Sequence, residues 1–324
     1  MPVSRQAGTQ VARNGRRPRE LRDLLTTVGL TNGVANIIMQ LSMPPVGHGV
    51  SESRVRSGSP RRYPLKRART TGQYLALSVM GSEEDREVMR KAVAEVHTAV
   101  HSQADSPVKF SGNSRELQLW VAMCLFKYYL DQYTLVHGPL EEDALDTLTR
   151  AAAPLATGVN VRLSEWPTSY AEYEQRWAAT VPQLAIDPVV RQEFESLSNL
   201  TFLGEAWGAL GYALARIGGP AYQFMTRATL PPEFRELMGW DWTPADERKL
   251  QRILKVVRLG DALINPRVSQ LAYRLYVADF RLRRRFGRPV LGRLEVIDVP
   301  IRDGGGLRWL ARRRPRTSAT DRLS

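Results

Sequence analysis

Hydrophobic residues recur at helical spacing along most of this chain, and no strand alternation of any length appears before residue 290. That pattern constrains the fold more than any other feature, because it calls for helices stacked round a core, an all-α protein. The clearest stretch follows Asn113 and Glu116, where Leu117, Trp120, Val121, Cys124, Leu125, Tyr128 and Gln132 fall on one face. Upstream, Ser82 and Asp85 make a capping box, and Val88, Met89, Ala92, Val93, Val96 and Val100 follow at helical spacing. Ser169 and Glu172 repeat the capping-box pattern. Asp187-Pro188, Thr243-Pro244 and Asn265-Pro266 each join an N-cap residue to a proline suited to the first helical position. The last of these opens a long helix with Val268, Leu271, Ala272, Leu275 and Tyr276 inward, ending near Gly287. Gly239 stops the helix of PPEFRELM. GRLEVIDVP, 292–300, reads as a short strand or an extended tail.

A chain of 324 residues, 43% of them hydrophobic, can bury one sizeable core, and the helical pattern assigns residues 18–302 to a single domain. Residues 1–17 and 303–324 are basic, lack periodicity and are expected to be disordered. Cys124 is the one cysteine, which excludes an internal disulfide and a cysteine-built metal cluster. No CxxCH occurs, so covalent c-type haem attachment is not expected. The polar, basic start has no apolar stretch of the secretory kind. LTFLGEAWGALGYALARIGG, 200–219, carries Glu205, Arg216 and several glycines, and reads as a buried helix rather than a membrane span. These features point to a cytoplasmic protein without a transmembrane helix. The net charge of +13 is uneven, with twelve arginines against three acids between residues 281 and 316. An arginine-rich C-terminus suits peripheral contact with an anionic membrane. No zinc finger, RNP-like aromatic pattern or KH-type loop is present, so no specific nucleic-acid partner is expected.

Three groups of residues could carry chemistry. Two of the four histidines, His97 and His101 in EVHTAVHSQ, stand four apart and would stack on one face of a continuous helix. The pattern HTAVH has Thr98 where a zincin has its glutamate, and two imidazoles need a third ligand to hold zinc. One of the two could instead bind haem iron, and both also suit structural or surface positions. The segment 40–71 combines His48, Glu52, Arg67 and Thr71 with glycines. Arg67 and Thr71, four apart, would present a guanidinium and a hydroxyl together, a pair suited to a bound oxygen species, a carboxylate or a phosphate. Arg235, between tryptophans in LPPEFRELMGWDW, could meet a cofactor carboxylate or sit in a structural ion pair.

Five segments in register, QLSMPPVGHGVSES, RARTT, VMGSEED…AVAEVHTAV, ELQLWVAMCL and LPPEFRELMGW, resemble the MpaB / latex-clearing-protein oxygenase family over roughly residues 30–285. The resemblance implies an all-α fold with a globin-like core, extra helices and a pocket for non-covalent haem b. It implies His97 as the axial iron ligand, from the family's vHxxV motif, and Arg67 and Thr71 on the distal side, from its RxxxT motif. Glu52 matches the family's distal acid, a base in double-bond cleavage. His101 stands where the family often has arginine and would face a haem propionate, FSGNS lacks the aspartate of the family's YxAxD segment, and Thr70 replaces the lysine of some rubber oxygenases. The implied activity is O2 activation at ferrous haem and oxidative attack, as a mono- or dioxygenase, on an apolar isoprenoid or other lipid substrate. The alternatives are a haem-binding sensor or carrier without turnover and a basic helical membrane-surface protein.

Overall fold

The computed structural model describes residues 17–263, 268 and 270–297. Short helices α1 (Thr27–Thr31), α2 (Val34–Leu41) and α3 (Pro44–Ser51) lead into α4 (Pro64–Met80), α5 (Glu83–His97) and the 23-residue α6 (Arg115–His137). Then follow α7 (Glu142–Ala151), α8 (Pro154–Thr157), α9 (Tyr170–Thr180) and α10 (Pro188–Ser198). The last described helices are α11 (Phe202–Trp207), α12 (Ala209–Thr229), α13 (Pro232–Met238), α14 (Pro244–Leu263) and α15 (Leu271–Arg285). Pairing between extended segments is limited, among the described residues, to two isolated bridges, Val55–Val296 and His101–Ser111. The fold is all-α, in one domain. Of the GRLEVIDVP segment, the described residues 292–297 form no strand beyond one bridge: Val296 bridges Val55 and the Ile297 amide donates to the Arg54 carbonyl at 3.0 Å.

The axis of the domain is α6. Its burial is wider than the single face read from periodicity, because Ala122, Met123, Phe126, Tyr129, Leu130 and Tyr133 are buried as well as Trp120, Cys124 and Tyr128. Helices α1, α2, α8 and α14 pack round it, so almost every side of α6 meets protein. Phe126 stands edge-on to Tyr173 of α9, with ring centroids 5.3 Å apart. The rings of Trp120 and Trp177 lie 4.9 Å apart. Such aromatic contacts each add about 0.5–1.5 kcal/mol to area burial.

The local start signals are borne out with two informative exceptions. Ser82 accepts from the Asp85 amide at 3.2 Å and Asp85 accepts from the Ser82 amide at 3.3 Å, the reciprocal box expected at the start of α5. Ser169 caps α9 through the Glu172 amide, but the Glu172 carboxylate takes the Thr168 amide at 2.8 Å instead of closing the box. Asp187 occupies the N-cap of α10 yet caps nothing with its side chain, which is bonded elsewhere. Gly239 ends α13 in the left-handed region, as its position predicted. The Asn265-Pro266 cap, residues 1–16 and residues 298–324 lie outside the described residues.

Two expectations about faces are corrected. In α15 the buried residues are Tyr273, Val277 and Phe280, whereas Leu271 and Leu275 are exposed. The partners decide this: α15 packs against α4, where Gln73 donates to Asp279 at 2.6 Å, and its Tyr273 meets the Tyr129 hydroxyl of α6 at 2.7 Å. The 200–219 stretch is not one buried helix. It breaks at Gly208, whose φ is 61°, into α11 and α12, and Leu210, Tyr212, Leu214 and Ile217 are exposed.

Candidate functional site

Helix α5 stops at His97. The Thr98 hydroxyl donates to the Glu95 carbonyl at 2.6 Å, and the Asn113 side chain donates to the Ala94 carbonyl at 3.1 Å, so the last-turn carbonyls are satisfied from outside the helix. Beyond it the chain turns into a loop. His101 therefore does not stack above His97; it is exposed, bridged to Ser111, with its Nδ1 3.1 Å from the Gln103 amide. Among the described residues no three His, Cys, Asp or Glu side chains gather where they could hold a metal ion, so the third ligand of a zinc site on these histidines is not supplied.

What surrounds His97 comes from distant parts of the chain. A Cβ at Gly112 would sit 3.0 Å from the His97 carbonyl oxygen and 3.1 Å from its Cβ, so only glycine lets this loop lie against the end of α5. Gln118, buried one turn into α6, donates to the Gly112 carbonyl at 2.7 Å and has the same nitrogen 3.2 Å from His97 Nδ1. Its amide is oriented by the backbone of Asn160, whose N–H donates to Gln118 Oε1 at 2.6 Å. The Nδ1 edge of the imidazole thus faces a fixed carbonyl and a fixed amide. Nε2 has no hydrogen-bond partner among the described residues, and the residue as a whole is only partly buried. Burial and then the charge of Arg67 lower the pKa of His97 to about 4, against the Gly112 carbonyl, which raises it. At neutral pH the ring is a neutral base although it ends a helix, where the macrodipole favours a cation.

Arg67 and Thr71 lie one turn apart on α4, as expected, and both carry exposed surface. Desolvation by the surrounding protein nevertheless lowers the pKa of Arg67 from its ordinary value. An arginine remains charged there. Its field reaches His97, which puts the α4 guanidinium and the α5 imidazole in one electrostatic site. Thr70, between them, donates to the Arg67 carbonyl at 3.2 Å and stays within the helix's own hydrogen bonding.

Glu52 caps the end of α3 and belongs to a chain of charged groups. His48 Nδ1 is 2.8 Å from Glu52 Oε1, and His48 Nε2 is 2.5 Å from Asp187 Oδ2, the carboxylate withheld from the α10 N-terminus. The Ser106 hydroxyl donates to Glu52 Oε2 at 2.5 Å. Burial opposes the charged form of His48, but the bonds to Asp187 and Glu52 outweigh it and raise its pKa. Asp187 is half-exposed and His48 is buried, so the chain leads from the surface inward. The loop 98–114 ties this group to the other: its Ser106 holds Glu52, its Gly112 backs His97, and its Phe110 packs where a Cβ on Gly49 of α3 would lie, 3.4 Å away.

Arg235 stands apart from these contacts. One of its terminal nitrogens donates to the carbonyls of Leu230 at 2.7 Å and Arg227 at 3.2 Å, closing the end of α12, and the guanidinium lies over Trp242 with 5.2 Å to the ring centroid. Of the residues singled out from sequence, Arg67 acts electrostatically on His97, Thr71 lies one turn from Arg67 on α4, and Glu52 bonds His48. Sequence reasoning missed Gly112, Gln118, Asn160, Ser106 and the His48–Asp187 bond. The spacing of His48 and Glu52, four apart, was the one local signal among them.

A family model described as the ER-bound oxygenase mpaB/B'/rubber oxygenase catalytic domain matches residues 22–259. The uncharacterized protein Mb2261 of Mycobacterium bovis is 40% identical over 257 residues, covering 79% of this chain and 98% of its own. The uncharacterized protein Rv2237 of Mycobacterium tuberculosis matches to the same extent, 40% identical over 257 residues. No solved structure matches. The matched span holds α4, α5 and the loop that backs His97, and the chain belongs to the mpaB/rubber oxygenase catalytic-domain family.

Proposed function

We propose that this oxygenase-family chain binds haem b through His97 Nε2 and acts with O2 on an apolar substrate, an isoprenoid or another lipid. The observation that carries the reading is the state of His97: a neutral, desolvated imidazole with its Nδ1 edge braced and its Nε2 unpartnered. An imidazole that ligates metal needs Nδ1–H directed at an acceptor, which fixes the tautomer and leaves the Nε2 lone pair for the iron. The Gly112 carbonyl would be that acceptor in the Nδ1–H tautomer, and Gln118 Nε2, a donor 3.2 Å from the same nitrogen, would then serve the carbonyl alone. Haem b, when bound, would supply O2 activation at ferrous iron.

The remaining roles fall to residues of the chain. Arg67 and Thr71 would donate hydrogen bonds from α4 to an oxygen species or to an anionic group. Glu52 would take a proton on its carboxylate, and His48 would return it toward Asp187 and the surface. His101, exposed on the loop beside His97, is the residue for a propionate; no cofactor contact is proposed for Arg235, whose donors serve the α12 carbonyls. No described helix is long and apolar enough to cross a membrane, and the arginine-rich C-terminus would make peripheral contact with anionic lipid.

The test is an absorption spectrum with iron and zinc quantified on the same sample, on the chain as purified and after hemin reconstitution, for wild type and His97→Ala. The reading expects a strong Soret band and about one iron per chain in wild type, lost in the variant. Full haem loading of His97→Ala, or no Soret band in reconstituted wild type, would sink it. Oxygen consumption with an isoprenoid lipid then separates an oxygenase from a carrier, which consumes none.

A further inference from the structure

Helix α12 carries a run of exposed apolar side chains. Leu210, Leu214, Ile217 and Ala221 follow at intervals of four, three and four, one stripe along the helix, and Ile217 is 82% and Leu210 65% exposed. The face turned inward is the less apolar one. Gly211, Ala215 and Gly219 are buried against the preceding segment, where a Cβ on Gly211 would lie 1.9 Å from the Leu203 carbonyl oxygen and one on Gly219 2.4 Å from that of Asn199. Small residues let the first turns of α12 lie flush on the preceding segment, while Leu210, Leu214 and Ile217 are exposed. Such a contiguous apolar face marks a binding surface rather than ordinary surface scatter.

The charges beside the stripe select the occupant. Glu205 is the one carboxylate between residues 200 and 226, and Arg61 holds it while also bonding Glu193 at 2.9 Å. Helix α14 packs on α12 through Leu250, Leu254 and Trp242 round Phe224. Residues 248–259 of α14 expose Arg248, Arg252 and Lys255 together with Val256 and Leu259 and contain no acid, the nearest exposed one being Glu247 at the start of the helix. Trp207, an amphipathic ring, stands exposed at the end of the stripe. An apolar stripe, a cationic flank and a tryptophan at the boundary, on a chain of net charge +13, match the chemistry of an anionic bilayer surface.

We propose that the α12–α14 face docks on anionic lipid, with the leucine–isoleucine stripe of α12 in the acyl boundary and the cations of α14 on the head groups. This surface lies in the folded domain and does not depend on the C-terminal arginines or on the haem reading. The test is flotation of the full chain with phosphatidylcholine vesicles and with vesicles containing roughly one-third phosphatidylglycerol, at low and high salt. Wild type floats with the anionic vesicles, less so at high salt. Leu214→Glu/Ile217→Glu loses binding by on the order of a hundredfold. Arg248→Gln/Arg252→Gln/Lys255→Gln loses about fivefold per cation, again on the order of a hundredfold, and only on anionic vesicles. Removal of residues 303–324 leaves binding in place. Melting curves confirm that each variant is folded. Unchanged flotation of the folded variants, or binding that vanishes with the tail alone, overturns the proposal. So does a chromatographic shift from dimer to monomer in the α12 variant with no vesicle binding in wild type, which assigns the face to a second copy.

Discussion

Gly112→Ala probes the link between the loop and His97 directly. The added Cβ would stand 3.0 Å from both the His97 carbonyl oxygen and Val100 Cβ, and 3.1 Å from His97 Cβ. Ordinary contact needs about 0.4 Å more, so something must yield. Gly112 itself is pinned, because its amide donates to the Val100 carbonyl at 2.7 Å and its carbonyl accepts from Gln118 at 2.7 Å. The end of α5 is the part that moves, and His97 moves with it, away from its Nδ1 partners. Overpacking of this kind costs about 1–3 kcal/mol. For a chain of this size each kcal/mol lowers the melting temperature by roughly 2–4 °C, so the expected loss is on the order of 2–12 °C. The assay pairs a thermal melt with hemin affinity measured at a temperature where both proteins are folded. Weaker hemin binding is expected in the folded variant, because the ring no longer meets its carbonyl. A variant that melts with wild type and binds hemin equally would refute the reasoning that Gly112 positions His97.

Three further perturbations follow from the same geometry. Arg67→Met removes the charge that helps depress His97, so the imidazole pKa rises from about 4 but stays below its ordinary value because burial remains; a histidine NMR titration with no upward shift contradicts the pairing. Asp85→Ala removes the N3 half of the α5 capping box and the partner of Arg281, whose Nε and terminal nitrogen lie 3.0 and 2.8 Å from Oδ2. The expected cost is about 2–4 kcal/mol by chemical denaturation, and a loss within error of zero would show that the box and ion pair are dispensable. His48 has a raised folded pKa, so its contribution to stability is fully present below its ordinary pH of about 6.5 and fades as pH climbs through the folded value. The stability gap between wild type and His48→Gln therefore narrows from pH 6 to pH 9, and a gap independent of pH means that His48 is not held as a cation.

How much of this was legible in the sequence depends on how far apart the interacting residues are. Ser82 and Asp85 satisfy each other across three positions, and Gly239 answers a demand of its own backbone, so both could be read locally. The braces of His97 come from residues 15, 21 and 63 positions further on, Gly112, Gln118 and Asn160, and no spacing rule connects them. Asp187 shows local logic overruled. Its place before Pro188 is right for a cap, but a charge-assisted bond to a buried imidazole is stronger than one to a backbone amide at a wet helix end, and the carboxylate goes to His48. The misread faces of α12 and α15 have a common cause. Each helix carries two stripes with helical period, Tyr273, Val277 and Phe280 against Leu271 and Leu275 in one, small residues against leucines and isoleucine in the other. Periodicity fixes that a stripe exists; which stripe is buried depends on the neighbour. The Leu203 and Asn199 carbonyls beneath α12 leave no room for a Cβ, so glycine is buried there and the larger hydrocarbon faces outward, against the ordinary preference for burying it. A hydrophobic side chain left outside by a close backbone contact costs stability in water, and that cost is recovered only where a second apolar phase covers the stripe.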